Sequence, residues 1–254
     1  MSYMDSFYEN VEKMGVVPVV VLDKAEDAKP LAEVLVEGGL PSAEVTFRTD
    51  AAAESIKIMA DECPDIMAGA GTVLTVEQAK RAVDAGAKFI VSPGYNMDVV
   101  EWCLDNKVPI IPAGVTPTEV TALVNKGLEV TKFFPAAQYG GLATIKALAS
   151  VFVGHRFMPT GGVNAQNLAA YLADPAIIAC GGTWMVKPQM IREHRFDEML
   201  ALTKEAAEIV RSTRASPLFL AASFPPGRAV QALKAPSGLI ASGGRLHVHR
   251  RRIG

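Results

Sequence analysis

Eight short runs rich in β-branched and aromatic residues recur along the chain at intervals of about 20 to 27 residues, and that rhythm limits the fold more than any other feature. The runs are VVPVVVL (16–22), AEVTF (43–47), IMAGAGT (66–72), FIVSPG (89–94), PIIPAG (109–114), EVTKFFP (129–135), RFMPTGG (156–162) and IIACGGT (177–183). Between them lie segments such as AEDAKPLAEVLVEGG and TVEQAKRAVDAGA, with apolar residues three and four apart and glycine near the C-terminal end. Strands alternating with helices predict a parallel sheet with crossover helices. Eight such units over some 200 residues fit a (β/α)8 TIM barrel of the α/β class better than an open doubly wound sheet. A nucleotide-binding open sheet wants GxGxxG after its first strand, and here that turn reads LDKAED.

The ends of the chain read differently from the barrel. MSYMDSFYENVEKMG is acidic and amphipathic, which predicts an N-terminal helix rather than a basic-then-apolar export signal. A closing helix is expected at about 196–213. Residues 1–213 are therefore expected to form the barrel domain. Residues 214–254, basic and rich in Pro, Gly and Ala with no sustained period, are expected to be a disordered appendage. From position 215 onward there are six basic residues and no acidic ones, so the net charge of −2 leaves −8 for the rest, which argues against nucleic-acid binding by the body. His247 and His249 in the tail read as incidental rather than as metal ligands. No apolar run approaches the ~18 residues of a membrane span, and a cytoplasmic location is expected. Cys63, Cys103 and Cys180 are odd in number and lack CxxC spacing, so neither a disulfide framework nor a structural metal site is expected.

Chemistry is suggested by charges placed in strands. In AEVTFRT, alternation puts Glu44, Thr46 and Arg48 on one face and Val45 and Phe47 on the other. In a barrel the apolar face packs on the helices, so a carboxylate, a hydroxyl and a guanidinium are expected to share the interior. In EVTKFFP the same parity groups Lys132 with Val130 and Phe134, opposite Thr131 and Phe133. Burial disfavours an ammonium and raises the share of neutral amine, which is the form that attacks a ketone. A lone strand lysine is more often an edge or snorkelling residue, and a buried Glu with a nearby Arg is often only a structural ion pair. Here both charged groups lie near C-terminal strand ends, where barrel chemistry is found. Lys132 is the candidate Schiff-base former. PTGGVN and CGGTW end strands seven and eight, the usual phosphate site of such barrels. The backbone of Gly161, Gly162, Gly181 and Gly182, with the Thr183 hydroxyl, is the candidate phosphate cradle.

Together AEVTFRT, GAGTV, VSPG, KFFPA, PTGGV and GGTWMV, in this order over residues 8 to 212, resemble the aldolases that cleave 2-keto-3-deoxy-6-phosphogluconate (KDPG) and 4-hydroxy-2-oxoglutarate (KHG). The resemblance implies a cytoplasmic, metal-free, cofactor-free class I lyase of the Entner–Doudoroff pathway, a (β/α)8 barrel and a homotrimer. Its ligands would be pyruvate and a 2-keto-3-deoxy sugar acid phosphate, with no nucleic-acid or membrane partner. By motif, the family's Schiff-base lysine falls on Lys132 and its catalytic glutamate on Glu44. Arg48 would take the pyruvyl carboxylate, Thr72 and Pro93 would shape that end, and Phe134 would line it. Gly161, Gly162 and Thr183 fall at the phosphate end, where Thr183 replaces a frequent serine. The resemblance also leads one to expect glycine rather than Ala113 after IP in IPAGVTP, a departure expected to shift the exit of the fifth strand slightly. The epimeric galactonate substrate, a sugar-phosphate isomerase or epimerase, and a non-catalytic phosphate-binding barrel are the alternatives.

Overall fold

The computed structural model describes residues 2–216. Expectations about the tail from position 217 on, including those for His247 and His249, lie outside the described residues. Helix α1 (Tyr3–Met14) begins at a capping box, in which the Ser2 hydroxyl accepts from the Asp5 amide and the Asp5 carboxylate accepts from the Ser2 amide. It stops at Gly15, whose left-handed backbone ends the helix. Eight strand–helix units follow: β1 (Val16–Val20) and α2 (Ala28–Glu37), β2 (Ser42–Thr46) and α3 (Ala52–Glu62), β3 (Met67–Gly71) and α4 (Val76–Asp84), β4 (Ile90–Val91) and α5 (Met97–Asp105). The second half comprises β5 (Ile110–Ile111) and α6 (Pro117–Asn125), β6 (Val130–Phe133) and α7 (Gly141–Val151), β7 (Arg156–Pro159) and α8 (Ala165–Leu172), then β8 (Cys180–Gly182) with α9 (Pro188–Arg192) and α10 (Phe196–Arg214).

All observed strand pairs are parallel. The order β5-β4-β3-β2-β1-β8 forms one ladder and β6-β7 another. Bridges Ala113–Lys132, Phe157–Ile177 and Thr160–Gly181 join the two at both edges. The strands therefore run in chain order round a closed ring, and the open-sheet alternative is excluded. Ala113 is buried and takes part in one of these bridges, so the departure in IPAGVTP leaves the junction between strands five and six intact.

Two apolar layers follow from the alternation of side chains. Val45, Phe133, Phe157 and Cys180 face outward into the cluster shared with the helices. Val17, Phe89, Val91, Ile111, Val130 and Met158 face inward, and Phe7, Tyr8 and Val11 of α1 join them. The N-terminal helix thus plugs the N-terminal end of the barrel. Its Glu12 accepts a hydrogen bond from Arg156, at the start of β7, at 2.7 Å, and Phe7 packs 5.4 Å from the Phe89 ring. Helix α10, close to its expected bounds, packs on α2 and α8. The three cysteines are free and buried, and burial pushes the Cys103 thiol up to about 12. No helix among the described residues is long and apolar enough to cross a membrane.

Candidate active site

Strands β2 and β6 each deliver one charged side chain into the barrel. Glu44 and Lys132 are 1% and 4% exposed, and Lys132 Nζ donates to Glu44 Oε1 at 3.0 Å. The parity reading holds on both strands: Val45 and Phe133 point to the helices, and Val130 points inward. Lys132 Nζ also lies 5.5 Å from the centroid of the Phe134 ring, within cation–π range. The other carboxylate oxygen, Glu44 Oε2, is buried and has no hydrogen-bond partner among the described residues. An acceptor held this way is poised for a proton or a hydroxyl.

The interior holds fewer polar groups than alternation predicts. Thr46 is buried, but its hydroxyl donates to the Val20 carbonyl at 3.0 Å and so serves the backbone of β1. Arg48 is exposed, because β2 ends at Thr46 and the strand parity lapses in the following turn. Its guanidinium stands at the mouth, where Nε donates to Thr72 Oγ1 at 3.1 Å. Thr72 adopts a left-handed backbone with φ of 55°, an uncommon state for a threonine that places its hydroxyl beside Arg48. Pro93 is half-buried just beyond β4, and Phe134 is half-buried just beyond β6. Lys132, Glu44, Phe134, Arg48, Thr72 and Pro93 all therefore lie at or beyond C-terminal strand ends or within the ring they close.

The glycine pairs occupy different settings. Gly161 and Gly162 form the turn after β7, with φ of 93° and 82°, a run of left-handed backbone that glycine adopts without strain. A side chain on Gly162 would also strike Ala137 in the β6–α7 turn. Gly181 and Gly182 sit inside β8, buried and in register with Val17 and Pro18. A Cβ there would crowd the Thr160 side chain and the Trp184 ring, respectively. The bridge between Thr160 and Gly181 brings the ends of β7 and β8 together, and Thr183 follows, exposed. Thr160 Oγ1 is buried without a partner among the described residues. Its place on the Met158 face of β7 makes it a second unsatisfied polar group facing the interior.

A depression of about 800 Å³ lies at the opposite end of the barrel, lined by Lys13, Gly38, Gly39, Lys204 and Arg211 among others. Its charges are largely paired within the fold, Lys204 with Glu37 and Arg211 with Glu208. Size there does not accompany reactive groups. Among the described residues no cluster of three or more His, Cys, Asp or Glu is arranged to hold a metal ion.

The family model described as KDPG and KHG aldolase matches residues 8–202. The chain is 49% identical over 207 residues to the 2-dehydro-3-deoxy-phosphogluconate aldolase of Treponema pallidum, covering 82% of this chain and 99% of that protein. It is 38% identical over 193 residues to the KHG/KDPG aldolase of Escherichia coli K12, covering 76% and 91%. Among solved structures, the KDPG aldolase of Zymomonas mobilis with 3-phosphoglycerate superposes with a TM-score of 0.74 at 40% identity, covering 80% of this chain and 95% of that one. The KDPG aldolase of Legionella pneumophila, with pyruvate captured as a covalent carbinolamine, gives a TM-score of 0.76 at 36% identity, covering 78% and 97%.

Proposed function

Since this chain belongs to the KDPG and KHG aldolase family, we propose that Lys132 and Glu44 are the working pair of a class I aldolase that reversibly cleaves KDPG to pyruvate and glyceraldehyde 3-phosphate. The observation that carries the assignment is the buried 3.0 Å contact between Lys132 Nζ and Glu44 Oε1 inside a closed barrel. Glu44 accepts a proton from the ammonium, and the neutral amine attacks the C2 ketone of the substrate to form a carbinolamine. Glu44 returns its proton to the carbinolamine hydroxyl, which departs as water, so a protonated imine forms and Glu44 is again a carboxylate. Glu44 next takes the proton of the C4 hydroxyl, the C3–C4 bond breaks, and its electron pair moves through the enamine to the imine nitrogen. Glyceraldehyde 3-phosphate leaves. Protonation at C3 and hydrolysis by water then release pyruvate and regenerate the amine.

The remaining roles follow from position. The Arg48 fork takes the pyruvyl carboxylate and orients the ketone towards Lys132, while Thr72, Pro93 and Phe134 shape that end. The turn at Gly161 and Gly162, the backbone of Gly181 and Gly182, and the Thr183 hydroxyl hold the phosphate. Supporting this, the ends of β7 and β8 are bridged to one another. With KHG, a carboxylate takes the place of the phosphate-bearing portion and glyoxylate is the product. The chemistry needs no metal or cofactor beyond the lysine. A cytoplasmic homotrimer completes the reading, on the strength of the family resemblance. Incubation with pyruvate and borohydride followed by peptide mass spectrometry tests it. A pyruvyl adduct on Lys132 is expected, whereas folded protein without an adduct would overturn the assignment in favour of an isomerase or a binding barrel.

A further inference from the structure

Strand β3 lines its part of the barrel with almost no side chains. Ala68 and Ala70 face the helices, which leaves Met67, Gly69 and Gly71 on the inner face. Register places Glu44 of β2 beside Gly69, and Thr46 beside Gly71. The Glu44 side chain does not stay level with its own backbone. It slants towards the mouth across Gly71, so that a Cβ at position 71 would lie 2.6 Å from Glu44 Cγ and 2.9 Å from Cδ, with Oε1 nearer still. The overlap runs the length of the side chain, so no small rotation of a flexible tip relieves it. That same Oε1 receives the hydrogen bond from Lys132. Gly71 does not have a left-handed backbone, so alanine is conformationally acceptable there and the demand is for space. Gly69 differs, because its empty volume is filled by the Phe89 ring, with Cδ1 2.5 Å from a Cβ placed there.

We propose that Gly71 is a positioning residue for the aldol reaction: its missing side chain is the space through which Glu44 reaches the Lys132 amine. This rests on the reading of Lys132 and Glu44 as the imine-forming and proton-moving pair. Gly71→Ala displaces the carboxylate while leaving Arg48 and the substrate ends in place, so kcat falls about 10²-fold, the scale of a 1 Å misplacement, and KM changes little. A double-mutant cycle separates this from a general defect. The test uses the full chain and its Gly71→Ala, Glu44→Ala and doubly substituted forms, reading the rate of borohydride trapping of pyruvate on Lys132 and the thermal midpoint.

In the Glu44→Ala background there is no side chain to displace, so Gly71→Ala is expected to leave both readings nearly unchanged. If Gly71→Ala alone fails to fold, the double variant is expected to match the thermal midpoint of Glu44→Ala, because removing the Glu44 side chain restores the space and leaves only the loss that Glu44→Ala already carries. The proposal is overturned if Gly71→Ala retains near-parental kcat and trapping rate, if its loss persists undiminished in the Glu44→Ala background, or if the double variant fails to fold where Glu44→Ala folds. Failure of the aldolase reading looks different: the unsubstituted chain itself traps no pyruvate on Lys132, which overturns both.

Discussion

Taking Lys132 and Glu44 out of water costs several kcal/mol per charge, and their attraction offsets that only where geometry is good. Their 3.0 Å contact meets the condition, and each depends on the other. Removing one partner leaves a buried charge alone, so Lys132→Met or Glu44→Leu is expected to lose about 3–5 kcal/mol in urea denaturation. The double variant Lys132→Met/Glu44→Leu is expected to unfold at a denaturant concentration at least as high as the parent while having no activity. Lys132→Ala abolishes turnover, and Glu44→Gln still traps pyruvate but cleaves slowly, as steady-state and trapping assays would read. Arg48→Lys keeps charge but loses the planar fork, so KM for the keto acid is expected to rise about tenfold or more in the cleavage assay. Alternation in the sequence was enough to place Glu44 and Lys132 in one interior. It failed for Arg48, since parity has no meaning past the last paired residue of β2. Gly71 was legible only as part of a motif, because an absent side chain does not say which neighbour fills its volume.

Strands and helices came out where the apolar rhythm placed them, yet several strands are shorter than their runs. Ladders β4 and β5 span two residues each, ending short of Pro93 and Pro112, which lack the N–H a ladder needs. Helix α1 was legible as amphipathic, but not as a plug, since its partners include β1, Phe89 just before β4, and Arg156 of β7, far apart in the chain. Phe7→Ala removes a ring packed against Phe89 and is expected to cost about 3–5 kcal/mol in chemical denaturation. A second element-scale consequence concerns the entry to β7. His155, 7% exposed, contacts the Thr131 hydroxyl of β6 at 2.7 Å through Nε2. Burial holds its imidazole down at about 4, against 6.5 when free. Its contribution to stability is therefore complete above pH 6.5 and is lost as pH falls from 6.5 towards 4, by up to about 3 kcal/mol at 1.36 kcal/mol per unit. Denaturation midpoints measured across that range should fall less steeply in His155→Asn than in the parent.

At the scale of the molecule, ring closure makes the site. Bridges from Ala113 to Lys132 and from Thr160 to Gly181 join the two ladders, so side chains from β2 and β6 meet across an enclosed interior. Sedimentation of the purified chain is expected to show three copies; a monomer that still turns over would remove the homotrimer from the functional reading. The eight-fold rhythm, the inward parity of Glu44 and Lys132, and the glycine turn ending strand seven were determined by the sequence itself, because side-chain direction and backbone tolerance are local properties repeated along each run. The 3.0 Å ion pair, the commitment of Thr46 to a carbonyl of β1, the withdrawal of Arg48 to the rim, and the lane that Gly71 leaves for Glu44 were decided only by the tertiary structure. Each depends on distances between strands far apart in the chain, and those are set by closure and register, which no single segment encodes.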